Sequence, residues 1–372
     1  MGSQSSPHVV VVGAGIIGAS LAYHLTKKGA KVTIVASELG GVATPDSFAW
    51  LNASWSNPKF YFEFRRRSMA GWKQLASELP DLPIQWCGSV TWDLPSDQLE
   101  TYLSQHSSWG YDIRRIERQA IEEAEPSLEP GSVPDWALQV AEEGAVEPVA
   151  AARLMIADAE ARGASVLTAS VTGFIQRDDH IVGVVTSSGP IEADHVVLAA
   201  GTGSVPLCAS VGITLPVSSR PGLLVHSQPT EKRLKGLVIA TKLHMRQTAD
   251  GRVIAGAEFA GGKPGSDPKA TATGLFAKVK GILKESDALE MEFFTVGQRP
   301  TPKDGLPILG PSGLKGLTLA VMHSGVTLAP IVGSLIANQV VTGDSDPALS
   351  AFTLNRFNTT SPKDNDSKQS TS

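Results

Sequence analysis

A glycine turn near the start of the chain limits what can follow it. Gly13-Ala14-Gly15-Ile16-Ile17-Gly18 comes directly after the β-branched run Val9 to Val12. After it, Ile16, Ile17, Leu21, Ala22 and Leu25 recur at helical spacing. An unbroken apolar run predicts a strand buried on both faces, as parallel strands are. Lys27, Lys28 and Gly29 then supply cations and a C′ glycine for the helix end. Val32 to Val35 reads as the second parallel strand. In a βαβ unit of this kind Gly13 permits the tight turn, Gly15 lets the backbone approach a pyrophosphate, and Gly18 allows helix and strand to pack closely. The first amides of the helix, at Ile16 and Ile17, face the phosphates. The turn therefore predicts a dinucleotide site.

A carboxylate usually ends the second strand, where it binds the ribose hydroxyls. Here the chain reads Val35-Ala36-Ser37-Glu38. Ser37 is expected to contact the ribose, or Glu38 to reach back, and no arginine stands there for a 2′-phosphate. The turn alone does not separate flavin from nicotinamide.

Charge narrows the class further. A formal net charge of -5 leaves no basic footprint for nucleic acid. Two cysteines, Cys87 and Cys208, are too few for a disulfide framework and have no metal-ligand spacing, so buried core thiols in a reducing compartment are expected. No apolar run is expected to reach the ~18 residues of a membrane span, and the first residues lack a basic, apolar leader. A cytoplasmic protein without membrane or metal partners is the expectation. Gly2 and Ser6 match the loose myristoylation pattern.

Further along, Gly40 to Asn57 reads as a structured loop and Phe60 to Leu79 as a helix carrying Arg65, Arg66 and Arg67, which read as a solvated face unless one of them approaches the cofactor. The charges from Arg114 to Glu125 read as a solvated helical face. Pro148 suits a helix start running to Ala161, with Gly163 as a stop. Ser165 to Phe174, Ile181 to Ser187 and Ile191 to Ala199 read as three strands. Gly222 to His226, Lys242 to Gln247 and Val253 to Phe259 predict an antiparallel sheet, with a hairpin turn at Ala249-Asp250-Gly251. Leu317 to Val321 is a buried strand, and Leu328 to Val341 a closing helix.

Three later segments carry a specific resemblance. They are Gly40-Gly41-Val42-Ala43-Thr44-Pro45-Asp46-Ser47-Phe48-Ala49-Trp50, then Val196 through Gly203, and finally Gly297-Gln298-Arg299-Pro300 with His323-Ser324-Gly325-Val326-Thr327. With the glycine turn, they make residues 8 to 342 resemble the glycine oxidase/D-amino-acid oxidase superfamily of FAD-dependent oxidoreductases, which includes sarcosine oxidases. The resemblance implies an α/β fold with a Rossmann-like FAD-binding domain built from discontinuous segments, 8–55, 146–215 and 296–342. An inserted α+β substrate domain with an antiparallel sheet would take 56–145 and 216–295, leaving 356–372 as a disordered tail.

The resemblance also implies a non-covalent FAD. Its contacts would come from Gly13, Gly15, Ile16, Ile17, Gly18, Ser37, Gly41, Thr44, Ser47, Phe48, Ala49, Val171, Ala200, Gly201, Gly203, His323, Ser324, Gly325, Val326 and Thr327. Arg299 would pair with a substrate carboxylate, since a planar guanidinium grips it bidentately. His244 and Arg246 lie where the family strand faces substrate, and as i and i+2 they share a face. Trp50 and Trp55 read as core or as an active-site wall. The implied reaction is oxidation of the C–N bond of an amino acid or secondary amine by hydride transfer to flavin N5, with oxygen or another acceptor taking the electrons. Competing readings are an FAD-dependent 2-hydroxy-acid or polyol dehydrogenase, a nicotinamide dehydrogenase, and a non-catalytic flavin-binding subunit.

Overall fold

A computed structural model describes residues 6–54, 57–257 and 264–358. Gly2, Trp55 and Phe259, on which expectations above fell, lie outside the described residues.

The first strand, His8–Val12, forms the middle of a six-stranded sheet. Its order is Ile308–Pro311, Leu317–Val321, His195–Leu198, His8–Val12, Lys31–Ala36, Ser165–Thr168. The edge strand Ile308–Pro311 is antiparallel, and every other pairing is parallel. Val9, Val10 and Val11 are fully buried, as burial on both faces requires. Helices Ile16–Lys27, Pro148–Ala161 and Gly325–Thr342 cover one face. A small antiparallel sheet of Val171–Arg177, His180–Thr186 and Gly189–Glu192 covers the other.

The stretch 165–199 thus holds five strands where three were predicted. Ala169-Ser170 lets the chain leave the main sheet. A hairpin at Asp178, in the left-handed region with φ 54°, then returns it.

Residues 89–140 and 217–302 build an eight-stranded sheet. Its order is Met291–Pro302, Val217–Ser227, Val253–Gly256, Leu243–Gln247, Leu237–Ala240, Ser89–Trp92, Trp136–Val140, Ile113–Glu117. Leu237–Ala240 and Ser89–Trp92 pair in parallel, and the remaining neighbours are antiparallel. The strand Met291–Pro302 runs unbroken past residue 295, so no chain break marks the boundary placed there. Helix Pro268–Ile282, not expected from the sequence, buries Ala272, Leu275, Phe276 and Val279 against this sheet. Its start is capped by Asp267, which accepts from Ala270 N–H at 3.0 Å.

The charged run 114–125 is strand Ile113–Glu117 followed by the short helix Arg118–Ala124, not one solvated helix. Glu125 is buried and accepts from the amides of Lys235 and Gly236. Arg356 and its neighbours, expected in a disordered tail, are ordered. Leu354–Phe357 is a 3-10 turn in which Arg356 grips the Asp304 carboxylate with two nitrogens. The tail beyond Asn358 lies outside the described residues.

The closing helix Gly325–Thr342 is long and apolar enough by length and composition to cross a membrane, contrary to the expectation that no such segment exists. In the fold it lies against helices Ile16–Lys27 and Lys59–Glu78. Pro330 inside it has no N–H for the Val326 carbonyl. Trp72 Nε1 donates to that carbonyl at 3.0 Å, and Ser68 Oγ donates to Thr327 O at 2.7 Å. Side chains of one helix thus complete the broken ladder of another. Trp72→Phe orphans the Val326 carbonyl and leaves a cavity where the second ring of the indole stood. A loss of about 1–3 kcal/mol in denaturant unfolding is expected, and an unchanged midpoint would contradict this role for Trp72.

Candidate functional site

The carboxyl ends of the parallel strands open on a cavity of about 850 Å³. Gly13, Gly15, Ile16, Ile17, Gly41 and Thr44 line one part of it. Here three stretches of backbone touch. A Cβ on Gly41 would stand 2.8 Å from Gly15 Cα, and one on Gly15 would stand 3.1 Å from Thr44 Oγ1. The Ile16 N–H donates to Thr44 Oγ1 at 3.1 Å, so the loop after the second strand is tied to the helix start. Gly18 does not line the cavity. A Cβ there would fall 1.9 Å from Gly13 O, so its smallness lets the helix back onto the turn.

Ser37 and Glu38 both line the wall after Lys31–Ala36, which places a carboxylate two residues beyond the usual position. Val171, Ala200, Gly201 and Gly203 line it as well.

The other end is walled by Ser47, Phe48, Ala49 and Trp50 and by the turn His323, Ser324, Gly325, Val326, Thr327. Ala49 and Ser324 hold left-handed backbone, φ 58° and 59°. Such residues cost about 1–3 kcal/mol each and collect at functional sites. Ser324 is the N-cap of the closing helix, and Thr327 Oγ1 donates to Trp50 O at 2.9 Å. Two helix N-termini, those of Ile16–Lys27 and Gly325–Thr342, therefore face one cavity, and both favour negative charge.

Arg299 lines this end from strand Met291–Pro302. Its guanidinium lies over Gly222 of the neighbouring strand, where a Cβ would meet Arg299 Cζ at 2.5 Å. Glycine there clears the surface on which the cation rests. Burial, with help from Arg299, Arg65 and Arg220, pushes the His323 ring down to about 4, so it is neutral at physiological pH.

The strand expected to present His244 and Arg246 to substrate does not line the cavity. Both side chains do point the same way, but onto Phe48. His244 meets the Phe48 ring edge-on at 5.4 Å, while Arg246 Nε donates to Phe48 O at 2.6 Å. Arg246 also grips the Glu147 carboxylate. They stand behind the cavity wall and position Phe48.

Of the three consecutive arginines read as solvated, Arg66 pairs with Glu142 and Arg67 with Asp346, but Arg65 is buried in the cavity wall. It donates to Asn52 O at 3.0 Å and to Asn52 Oδ1 at 2.6 Å. Helical spacing puts Tyr61 and Arg65 on one face, and both line the cavity with Asn52 and Ser54. Arg65 is thus the one of the three that turns toward the cofactor space, while Tyr61, Asn52 and Ser54 were not expected there. Arg65 would have been found by noticing that it shares the buried stripe of Tyr61, Ser68 and Trp72.

Behind this wall the fully buried Glu143 accepts from Trp50 Nε1 (2.9 Å), Ser54 Oγ (2.6 Å), Ser89 Oγ (2.6 Å) and Tyr111 OH (3.0 Å). Two of those donors belong to cavity residues, so one carboxylate fixes the wall's geometry. Cys87 and Cys208 are free thiols outside the cavity lining, each pushed up by burial, Cys208 to about 11. Among the described residues no cluster could hold a metal ion.

A parallel sheet with a glycine turn, facing an antiparallel sheet across a cavity with a buried arginine, defines a dinucleotide-dependent enzyme of the two-sheet type. Residues 8–339 match the model of the family described as DAO, FAD dependent oxidoreductase. The chain belongs to that family and uses FAD. It is 30% identical to the bifunctional protein ThiO/ThiG of Trichormus variabilis, covering 94% of this chain and 55% of that protein. The chain thus spans about half the length of that relative. It is 27% identical to a glycine oxidase of Bacillus licheniformis, covering 89% of this chain and 92% of the relative. The crystal structure of glycine oxidase from Bacillus cereus superposes with a TM-score of 0.83, at 23% identity, over 94% of this chain and 98% of that one. This last likeness shows the fold.

The site fits FAD. The glycine cradle would take the pyrophosphate, and the N-terminus of the closing helix would face a ring that becomes negative on reduction.

Burial holds the Asp93 carboxyl up at about 7, with Glu143 adding to the rise, and its Oδ1 has no hydrogen-bond partner among the described residues. A raised folded pKa means stability present at low pH and lost as pH rises through about 7. Asp93→Asn removes that loss. Its stability advantage over the unchanged protein, read from urea unfolding, is expected to open between about pH 4 and 7 to about 2–4 kcal/mol and to stay level above pH 7. A pH-independent difference would contradict the buried-acid assignment.

Proposed function

We propose that this chain oxidises a C–N bond in an amino acid or N-substituted amino acid, with Arg299 holding the substrate carboxylate. The observation that carries this reading is the Arg299 guanidinium, laid flat over Gly222 at the cavity end where the closing helix begins. When bound, FAD supplies the hydride acceptor, to be reoxidised by oxygen or another acceptor. We infer that FAD is held non-covalently, since neither Cys87 nor Cys208 lines the cavity.

The chain's own contribution is orientation. A bidentate arginine–carboxylate pair fixes both the distance and the rotation of a small substrate. Phe48, held by His244 and Arg246, and Trp50, held by Glu143, give the wall a fixed shape that excludes water. An alcohol must surrender its O–H proton as hydride leaves, so a 2-hydroxy acid would need a base beside Arg299; His323, held neutral by burial and by the arginines around it, is the ring that stands there. A neutral amine has a lone pair to expel hydride and needs no such base. The two free thiols, Cys87 and Cys208, support a reducing, cytoplasmic setting.

Anaerobic mixing of the holoenzyme with glycine, N-methylglycine, D- and L-amino acids and the matching 2-hydroxy acids tests the reading. Bleaching of the flavin band by an amine is expected. Arg299→Ala should weaken the apparent affinity for that amine about 100-fold, ~3 kcal/mol. Bleaching by hydroxy acids alone would overturn the amine assignment, and bleaching by neither would favour a flavin-binding subunit without turnover.

A further inference from the structure

The cavity end that holds Arg299 carries more positive charge than one substrate carboxylate requires. Arg65 reaches it from helix Lys59–Glu78, and both arginines act on His323. His323 itself is neutral there. Glu38, after the second parallel strand, is the one acidic side chain among the described lining residues.

Arg65 differs from its neighbours in the arginine run. Arg66 and Arg67 turn outward to carboxylates, whereas Arg65 is only 5% exposed and meets neutral groups. Its Nε and Nη2 are spent on Asn52, and its plane lies 5.5 Å from the Tyr61 ring centroid. These contacts lock the guanidinium in one orientation without balancing its charge. Nη1 carries no hydrogen bond among the described residues. A buried cation without a counter-ion is costly, and a pre-oriented guanidinium with a free edge toward a cavity is a carboxylate receptor.

We propose that Arg65 is a second anion-binding residue and that the substrate is a secondary amine with a carboxylate on each arm, an N-carboxyalkyl amino acid. Arg299 holds one carboxylate and Arg65 the other, leaving the nitrogen between them. The proposal rests on the reading that Arg299 binds a carboxylate. It adds a specificity that glycine-sized substrates would not need.

Non-reacting ligands separate this claim from the claim of amine oxidation. Glutarate has the five-atom span of the smallest such substrate, and pentanoate is the same chain with one carboxylate replaced by methyl. Each is titrated into the FAD-loaded protein while the visible flavin band is followed. Glutarate is expected to bind about ten-fold more tightly than pentanoate. Arg65→Gln should bring the two within about two-fold while leaving pentanoate unchanged, and Arg65→Lys should retain part of the preference. Arg299→Gln should weaken both ligands.

Absence of a preference in the unchanged protein overturns the proposal whether or not the variants fold. So does a preference that survives Arg65→Gln. If Arg65→Gln shifts the flavin midpoint potential and leaves the preference intact, Arg65 faces the cofactor instead and the proposal is wrong. None of these outcomes depends on turnover, so a failure of the amine reading shows separately, as a flavin that no amine bleaches.

Discussion

Everything in this molecule depends on a crossing of backbones at which side chains have been removed. The turn after the first strand, the start of the first helix and the loop after the second strand approach so closely that Gly13, Gly18 and Gly41 have no room for a side chain, and a methyl on Gly15 would press on Thr44 Oγ1 at 3.1 Å. Gly18 lets the helix lie on the turn, and Gly41 lets the loop lie over the helix start. Thr44 then ties that loop to the Ile16 amide. The result is a channel whose wall is peptide backbone, so its first helical amides are available to an anionic ligand. From this point the loop runs on through Phe48 and Trp50 to become the wall at the other end. One constraint near the N-terminus thus sets where a cavity residue 30 positions later must stand.

At that other end the structure concentrates positive character and excludes competing groups. Arg299, Arg65 and the N-terminus of the closing helix converge there, and burial beside the arginines keeps His323 uncharged. The groups that shape this end are held from behind by buried polar contacts, Glu143 on Trp50 and Ser54, and Arg246 on Phe48. Left-handed backbone at Ala49 and Ser324 is the local strain accepted for this arrangement. Tight packing outside the site, such as Trp72 on the Pro330 break, keeps the closing helix where its first turn must be.

Local pattern made the parallel-sheet half legible in the sequence. The helices from Ile16 and Pro148 and the strand Leu317–Val321 have strong periodicity or end signals, and they form where those signals place them. The cofactor end was legible because glycine at fixed spacing has a steric meaning that survives without context. The substrate end was not. Arg65 sits in a run of three arginines, and only the helix's rotation against its neighbours decides which of the three turns inward. His244 and Arg246 do share a strand face, but whether that face meets the cavity or the back of Phe48 is set by a loop nearly 200 residues away. Helix Pro268–Ile282 was missed although Asp267-Pro268 is a sound start signal. The closing helix hid its membrane-like length because Gly325 to Thr327 read as a turn and were left outside it.

The central claim is that glycine at the crossing serves two separable purposes, folding at Gly18 and cofactor binding at Gly15. FAD titration into the apoprotein, followed by quenching of free flavin fluorescence, tests it directly in Gly15→Ala. Gly15 has φ -72°, which alanine adopts freely, and the added methyl would meet the Thr44 hydroxyl at 3.1 Å on the lining of the cavity. The apoprotein should remain folded, its denaturant midpoint lowered only slightly as the Thr44 hydroxyl gives way, while its affinity for FAD falls by about ten-fold or more, ~1.4 kcal/mol. An affinity equal to that of the unchanged protein would contradict the account, because it would place the dinucleotide somewhere other than this turn.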